Sequence, residues 1–142
     1  MKIVLDASAV VKWFVREEES GEMEELLGKF LSGEVEFHSP ELLLVELANV
    51  LRYARGLTPE DVARAVEAVR ALGVNLVDDL QVLGEAIELA FQRDVTVYDA
   101  LYVSLAQRLS GRLVTYDGKL LRKFGGLAAT ASELLGSPSP RD

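Results

Sequence analysis

The chain has 142 residues and no cysteine, and its 15 basic and 23 acidic side chains leave a net charge of −8 and a pI near 4.7. The missing thiols exclude cysteine catalysis, zinc–thiolate sites and a disulfide framework, and the acidic balance argues against nonspecific coating of nucleic acid. With 49% hydrophobic and 27% charged residues, the chain is neither disordered nor fibrous.

This length predicts a single folded body over residues 1–135, with residues 136–142 as a short Pro- and Ser-rich tail. No apolar run approaches the roughly 18–20 residues that span a bilayer, and the run after Met1-Lys2 is too short for a signal peptide. The expectation is a soluble, cytoplasmic protein without membrane contact. Charge is unevenly placed. Residues 1–99 hold 9 basic and 20 acidic side chains, whereas residues 100–142 hold 6 and 3. Lys119, Arg122 and Lys123 can therefore form a local basic rim.

In chain order, residues 2–5 read as a buried strand: short, apolar and β-branched. Residues 8–16 read as a helix, and residues 20–31 as a second helix ending near Gly33. Residues 34–38 read as a strand. Ser39-Pro40 carries a helix-start signal, Ser as cap and Pro in the first turn, and predicts a helix to Arg55 that stops at Gly56. Thr58-Pro59 repeats the signal, with Asp61 three residues after the cap. Val62, Ala65, Val66 and Val69 then form one apolar stripe that ends at Gly73. Residues 74–77 read as a strand, and Asp78 or Asp79 caps a helix over 80–92. A helix over 98–109 is closed by Gly111. Residues 112–115 read as a strand, 117–124 as a short helix and 127–129 as an edge strand. Strands alternating with helices imply an α/β fold with a central parallel sheet covered on both faces.

Four carboxylates stand out. Asp6 and Asp117 each follow a strand, at the end where open parallel sheets build their sites; a helix cap is the alternative role for each. Glu46 lies in Leu42-Leu43-Leu44-Val45-Glu46-Leu47-Ala48-Asn49-Val50-Leu51, eight of whose ten residues are apolar. That helix reads as buried nearly all round, where a charge needs a partner, water or metal. Asn49 shares the Glu46 face, one turn on. Asp99 stands at the start of a helix, where capping is again an alternative. Ser8 and Thr115 are hydroxyls suited to orient a carboxylate or a water. With one histidine, His38, and no cysteine, the ligand set is oxygen only and suits Mg²⁺ or Mn²⁺. A divalent cation relieves the mutual repulsion of converging carboxylates and activates water toward phosphodiester hydrolysis. Lys12, Arg16, Lys119 and Arg122 are candidate phosphate contacts, and Tyr98 and Tyr102 read as packing residues in preference to base-stacking platforms.

These residues give the chain a resemblance to the PIN-domain family of metal-dependent ribonucleases, more narrowly to VapC-type toxins of toxin–antitoxin pairs. The similar segments are Val4-Leu5-Asp6-Ala7-Ser8-Ala9, Glu46-Leu47-Ala48-Asn49-Val50-Leu51, Tyr98-Asp99-Ala100-Leu101-Tyr102 and Leu113-Val114-Thr115-Tyr116-Asp117. They occur in family order. The resemblance implies a three-layer α/β/α fold and an acidic catalytic and metal pocket on Asp6, Glu46, Asp99 and Asp117. It also implies an RNA substrate, a small cognate antitoxin and a homodimer. A housekeeping RNA-processing nuclease and a non-catalytic binding module on the same fold are the alternatives. A haloacid-dehalogenase-type phosphatase is set aside, because Ser8 stands where its second aspartate belongs.

Overall fold

The computed structural model describes residues 1–136. Five parallel strands form one sheet in the order β3-β2-β1-β4-β5. They are β1 Lys2–Leu5, β2 Glu36–Pro40, β3 Asn75–Val77, β4 Arg112–Val114 and β5 Ala128–Ala129. Successive residues of a strand face opposite sides of a sheet. Ile3, Val4 and Leu5 are all fully buried, so both faces of the sheet are covered by helices.

Those helices are α1 Ala7–Val10, α2 Ser20–Leu31, α3 Leu42–Arg52, α4 Pro59–Leu72, α5 Leu83–Arg93, α6 Val97–Leu109, α7 Gly118–Lys123 and α8 Ala131–Gly136. Helix α6 lies directly on β1, β2 and β4, with Ala100 to Ala106 buried, and α5 packs against it. Helix α3 lies between α1 and α4, and α2 meets α8. Phe30 of α2 stacks on Phe37 of β2 with ring centroids 4.5 Å apart.

The chain builds β2 and β3 on one side of β1, then crosses to place β4 on the other. The connections reverse between β1 and β4, and at such a switch point a crevice opens beyond the carboxyl ends of the strands. Leu5 pairs in register with Val114. The next residues, Asp6 and Thr115, are therefore neighbours at the floor of that crevice. Close strand-to-turn approach also fixes Gly111, because a Cβ there would lie 2.4 Å from the Lys2 carbonyl oxygen.

Several local expectations need correction. Ser39-Pro40 ends β2 instead of starting a helix. The Ser39 hydroxyl donates to the Leu5 carbonyl oxygen at 2.7 Å, so strand pairing wins over the cap. Helix α3 starts at Leu42, whose amide donates to Asp79 Oδ1 at 3.1 Å, a cap supplied from 37 residues downstream. It stops at Arg52, short of the expected Arg55. The helix expected over 8–16 is one α-turn, Ala7–Val10, followed by a 3₁₀ turn over Val11–Trp13. The turn before α5 is likewise 3₁₀, with Asp78 capping Leu80. Helix α8 was not expected, and residues 137–142 of the expected tail lie outside the described residues. The Thr58 capping box with Asp61 forms as expected. Among the described residues no helix is long and apolar enough to cross a membrane.

Candidate active site

Asp6, Glu46, Asp99 and Asp117 all line one cavity of about 390 Å³, together with Ser8, Asn49, Tyr98 and Tyr102. They arrive there from the end of β1, the middle of α3, the first turn of α6 and the end of β4. The lone histidine, His38, is not among the lining residues; it pairs with Glu36 at 3.0 Å.

Asp6 sits on the floor and is fixed from three directions. Its Oδ1 accepts from the Ser8 hydroxyl at 2.7 Å and the Ala9 amide at 3.1 Å. Its Oδ2 accepts from the Thr115 hydroxyl at 2.5 Å. Each hydroxyl has one proton to give. Ser8 Oγ also accepts the Tyr116 amide at 2.8 Å and Thr115 Oγ1 the Asp117 amide at 3.1 Å, and the two hydroxyl oxygens lie 3.3 Å apart. Asp6 therefore caps α1 and faces the cavity at once. Burial pushes its carboxyl up to about 6, against the lowering by Thr115, Ser8 and Ala9, and the nearby Asp99 charge adds to the rise.

Asp99 connects the charges. Its carboxyl is raised by burial and then by Asp117, while Thr96 and Lys119 oppose the shift. Asp99 in turn raises both Asp6 and Glu46. Thr96, not Asp99, caps α6, accepting the Asp99 amide at 3.0 Å. Asp117 Oδ1 caps α7 through the Lys119 and Leu120 amides; its Oδ2 has no hydrogen bond of its own among the described residues.

Glu46 is half-buried and raised first by desolvation, with Asp99 and Asp79 adding to the rise. Its Oε1 accepts from the Tyr102 hydroxyl at 2.5 Å. Helix α3 is not buried nearly all round. Leu43, Leu47 and Leu51 form one buried stripe, whereas Val45 and Val50 are exposed. Continuous apolar sequence was a poor guide here, because part of α3 lines the cavity instead of the core.

The aromatic and basic candidates separate. Tyr102 is buried and is the unforeseen positioning partner of Glu46, one turn after Asp99 on the same helix. Tyr98 is exposed, contrary to the packing expectation. Lys12 is buried under the Tyr116 ring, with Nζ on Glu17 at 3.1 Å and the Glu18 carbonyl at 2.8 Å, so it is not free to meet phosphate. Arg16 pairs with Glu24 at 2.7 Å. Lys123 reaches the Arg93 and Asp94 carbonyls, leaving only Lys119 and Arg122 of the expected rim.

The donor set is four carboxylates without nitrogen or sulfur, and neighbouring charge adds to the raised proton affinity of Asp6, Glu46 and Asp99. Such a set fits a hard divalent cation. Among the described residues no group of three or more His, Cys, Asp or Glu side chains is drawn together tightly enough to grip an ion alone.

Comparison with known proteins bears on the family and the fold. The model of the PIN domain family matches residues 3–126. Ribonuclease VapC3 of Pyrobaculum aerophilum is 40% identical over 134 residues, covering 89% of this chain and 98% of the relative. The crystal structure of PAE2754, also from Pyrobaculum aerophilum, superposes with a TM-score of 0.69 at 25% identity, covering 95% of this chain and 93% of that one. A toxin–antitoxin complex from Klebsiella pneumoniae shares the fold at a TM-score of 0.66 and 16% identity, covering 91% and 97%. A matched family model over most of the chain, and a full-length relative at this identity, place the protein in the PIN-domain family, on its VapC branch.

Proposed function

We propose that this protein is a divalent-metal-dependent endoribonuclease, the toxin of a toxin–antitoxin pair, acting in the cytoplasm through a nuclease domain over residues 1–135. The observation that carries the reading is the convergence of Asp6, Glu46, Asp99 and Asp117 on one cavity. The relative named Ribonuclease VapC3 supports the same reaction class.

Asp6, Glu46 and Asp99 would hold the cation, Mg²⁺ or Mn²⁺, partly through water, with Asp117 assisting. When bound, it offsets the carboxylate charge, lowers the pKa of a water and polarises the phosphate. The chain's own residues set the geometry. Ser8 and Thr115 lock Asp6 into one orientation, and Tyr102 holds one oxygen of Glu46 while the other stays available. Asn49 offers an uncharged amide beside Glu46 for a phosphate or sugar oxygen. A carboxylate oxygen not committed to the cation, such as Asp117 Oδ2, would take a proton from the attacking water. Water would add to phosphorus as the 3′-oxygen leaves and picks up a proton, giving 5′-phosphate and 3′-hydroxyl ends.

A small antitoxin and a second copy of the chain are the expected partners, supported by the VapC branch and by the fold shared with a toxin–antitoxin complex. The test is RNA cleavage by the protein, purified with and without the product of its neighbouring reading frame, in Mg²⁺, Mn²⁺ and chelator. Cleavage that needs metal and is silenced by the neighbour supports the proposal. Metal-independent cleavage refutes the mechanism, and cleavage indifferent to the neighbour refutes the toxin role.

A further inference from the structure

The cavity lining combines two chemistries. Beside the four carboxylates stand Leu42, Val45, Val50 and Tyr98, and no lysine or arginine lines it. Tyr98 is 62% exposed and Val45 is 68% exposed. Among the described residues the Tyr98 ring meets no other ring and its hydroxyl has no hydrogen-bond partner. Tyr102, one turn along the same helix, is 1% exposed. Helix α6 thus packs one tyrosine and presents the other, and the presented ring is adjacent in sequence to Asp99.

A nucleotide that enters this cavity meets apolar and aromatic surface as well as carboxylates, with Lys119 near enough to act on Asp99 but not part of the lining. Contacts independent of charge can therefore add to the hold on the scissile phosphate. Stacking of a base on an aromatic face is worth roughly 1–3 kcal/mol and tolerates any base. The face must be free on both partners, and a base inside a duplex is already covered on both sides. The cavity volume of about 390 Å³ falls in the roughly 300–1,000 Å³ range of sites for small organic groups. Val45 and Val50 extend the apolar surface beside the ring.

We propose that Tyr98 is a stacking platform for an unpaired nucleobase next to the scissile phosphate. The proposal rests on the ribonuclease reading for its substrate, and its test separates the two. An unstructured oligoribonucleotide carrying 2-aminopurine is titrated with wild type, Tyr98→Phe and Tyr98→Ala in Mg²⁺, and its cleavage is followed separately.

With wild type and Tyr98→Phe the 2-aminopurine emission changes on binding. With Tyr98→Ala the change is lost, KM rises about tenfold, kcat is kept, and thermal stability is unaltered because the ring is exposed. An abasic site at the stacked position raises the wild-type KM equally and adds nothing to Tyr98→Ala. A fluorescence response that depends on Tyr98 in a protein that cuts no RNA upholds the platform and refutes the ribonuclease. Normal cleavage with a KM and fluorescence indifferent to Tyr98→Ala overturns the platform and leaves the ribonuclease standing. If that indifference comes with weakened hold on a co-purifying protein, the ring belongs to a protein interface and the proposal falls.

Discussion

Thr115 donates its hydroxyl proton to Asp6 Oδ2 at 2.5 Å, joining residues 109 apart in the sequence. The bond exists because β1 and β4 are neighbours with Leu5 opposite Val114. It ties the sheet register directly to the orientation of a candidate ligand. Thr115 is fully buried, so its hydroxyl has no competing water.

Thr115→Val keeps the shape and removes the donor. The Asp117 amide loses its acceptor in the same substitution. A hydrogen bond to a charged group contributes roughly 1.5–3 kcal/mol, and urea denaturation is expected to show a loss of about 2 kcal/mol. The bond lowers the Asp6 pKa, so its removal raises that pKa further and moves the acid limb of activity to higher pH.

Asp6 itself destabilises the metal-free fold. Its carboxyl rises from 3.8 to about 6 on folding, so the folded state favours the protonated form. Below pH 4 both states are protonated and there is no penalty. Between about pH 4 and 6 the penalty grows, and above 6 it is complete, on the order of 3 kcal/mol at 1.36 kcal/mol per unit. Asp6→Asn in chelator is therefore expected to be more stable than wild type at pH 7.5. The gain, about 1–2 kcal/mol after less favourable hydrogen bonding by the amide, shrinks toward pH 4. Denaturant titrations of both proteins across pH 4–8 check the sign.

Divalent metal should reverse that penalty. Binding to the folded state alone raises stability by mass action, about 2.7 kcal/mol at a hundredfold excess over Kd. Thermal melts with increasing Mn²⁺ are expected to shift upward at pH 7.5. The shift weakens at pH 5, where protons occupy Asp6 and compete. Asp6→Asn should abolish most of it.

Tyr102→Phe deletes only the hydroxyl that holds Glu46 Oε1. That bond lowers the Glu46 pKa against the rise caused by burial. Its loss raises the pKa and frees the side chain to leave its productive rotamer. A fall in kcat of about tenfold, near 1.4 kcal/mol, is expected, with an acid limb shifted to higher pH. Steady-state kinetics across pH checks both.

Strands β1, β3 and β4 were readable as short apolar runs with β-branched residues, whereas β2, Glu36–Pro40, and β5, Ala128–Ala129, contain none. The acids were readable because a carboxylate after a buried strand or inside an apolar helix is costly when idle. Ser8 and Thr115 were readable as hydroxyls suited to orient a carboxylate, and both serve Asp6; that Thr115 reaches it from 109 residues away depended on the strand order, which local pattern does not contain. The Ser39-Pro40 signal misled because a cap motif also fits a strand end when the serine finds a carbonyl in the next strand. Tyr98 and Tyr102 lie one turn apart on the same side of α6, and position along the helix separates them: Tyr98 is in the exposed first turn and Tyr102 in the buried Ala100 to Ala106 stretch. The apolar run around Glu46 was read as burial, although two of its valines face solvent.

Cation-dependent hydrolysis at the four acids is tested most directly by end-group analysis of RNA fragments, using wild type and Asp99→Asn in Mg²⁺ and in chelator. Wild type in Mg²⁺ is expected to give 5′-phosphate and 3′-hydroxyl ends, with at most trace cleavage under every other condition. Cyclic 2′,3′-phosphate ends, or undiminished cutting by Asp99→Asn in chelator, would contradict it.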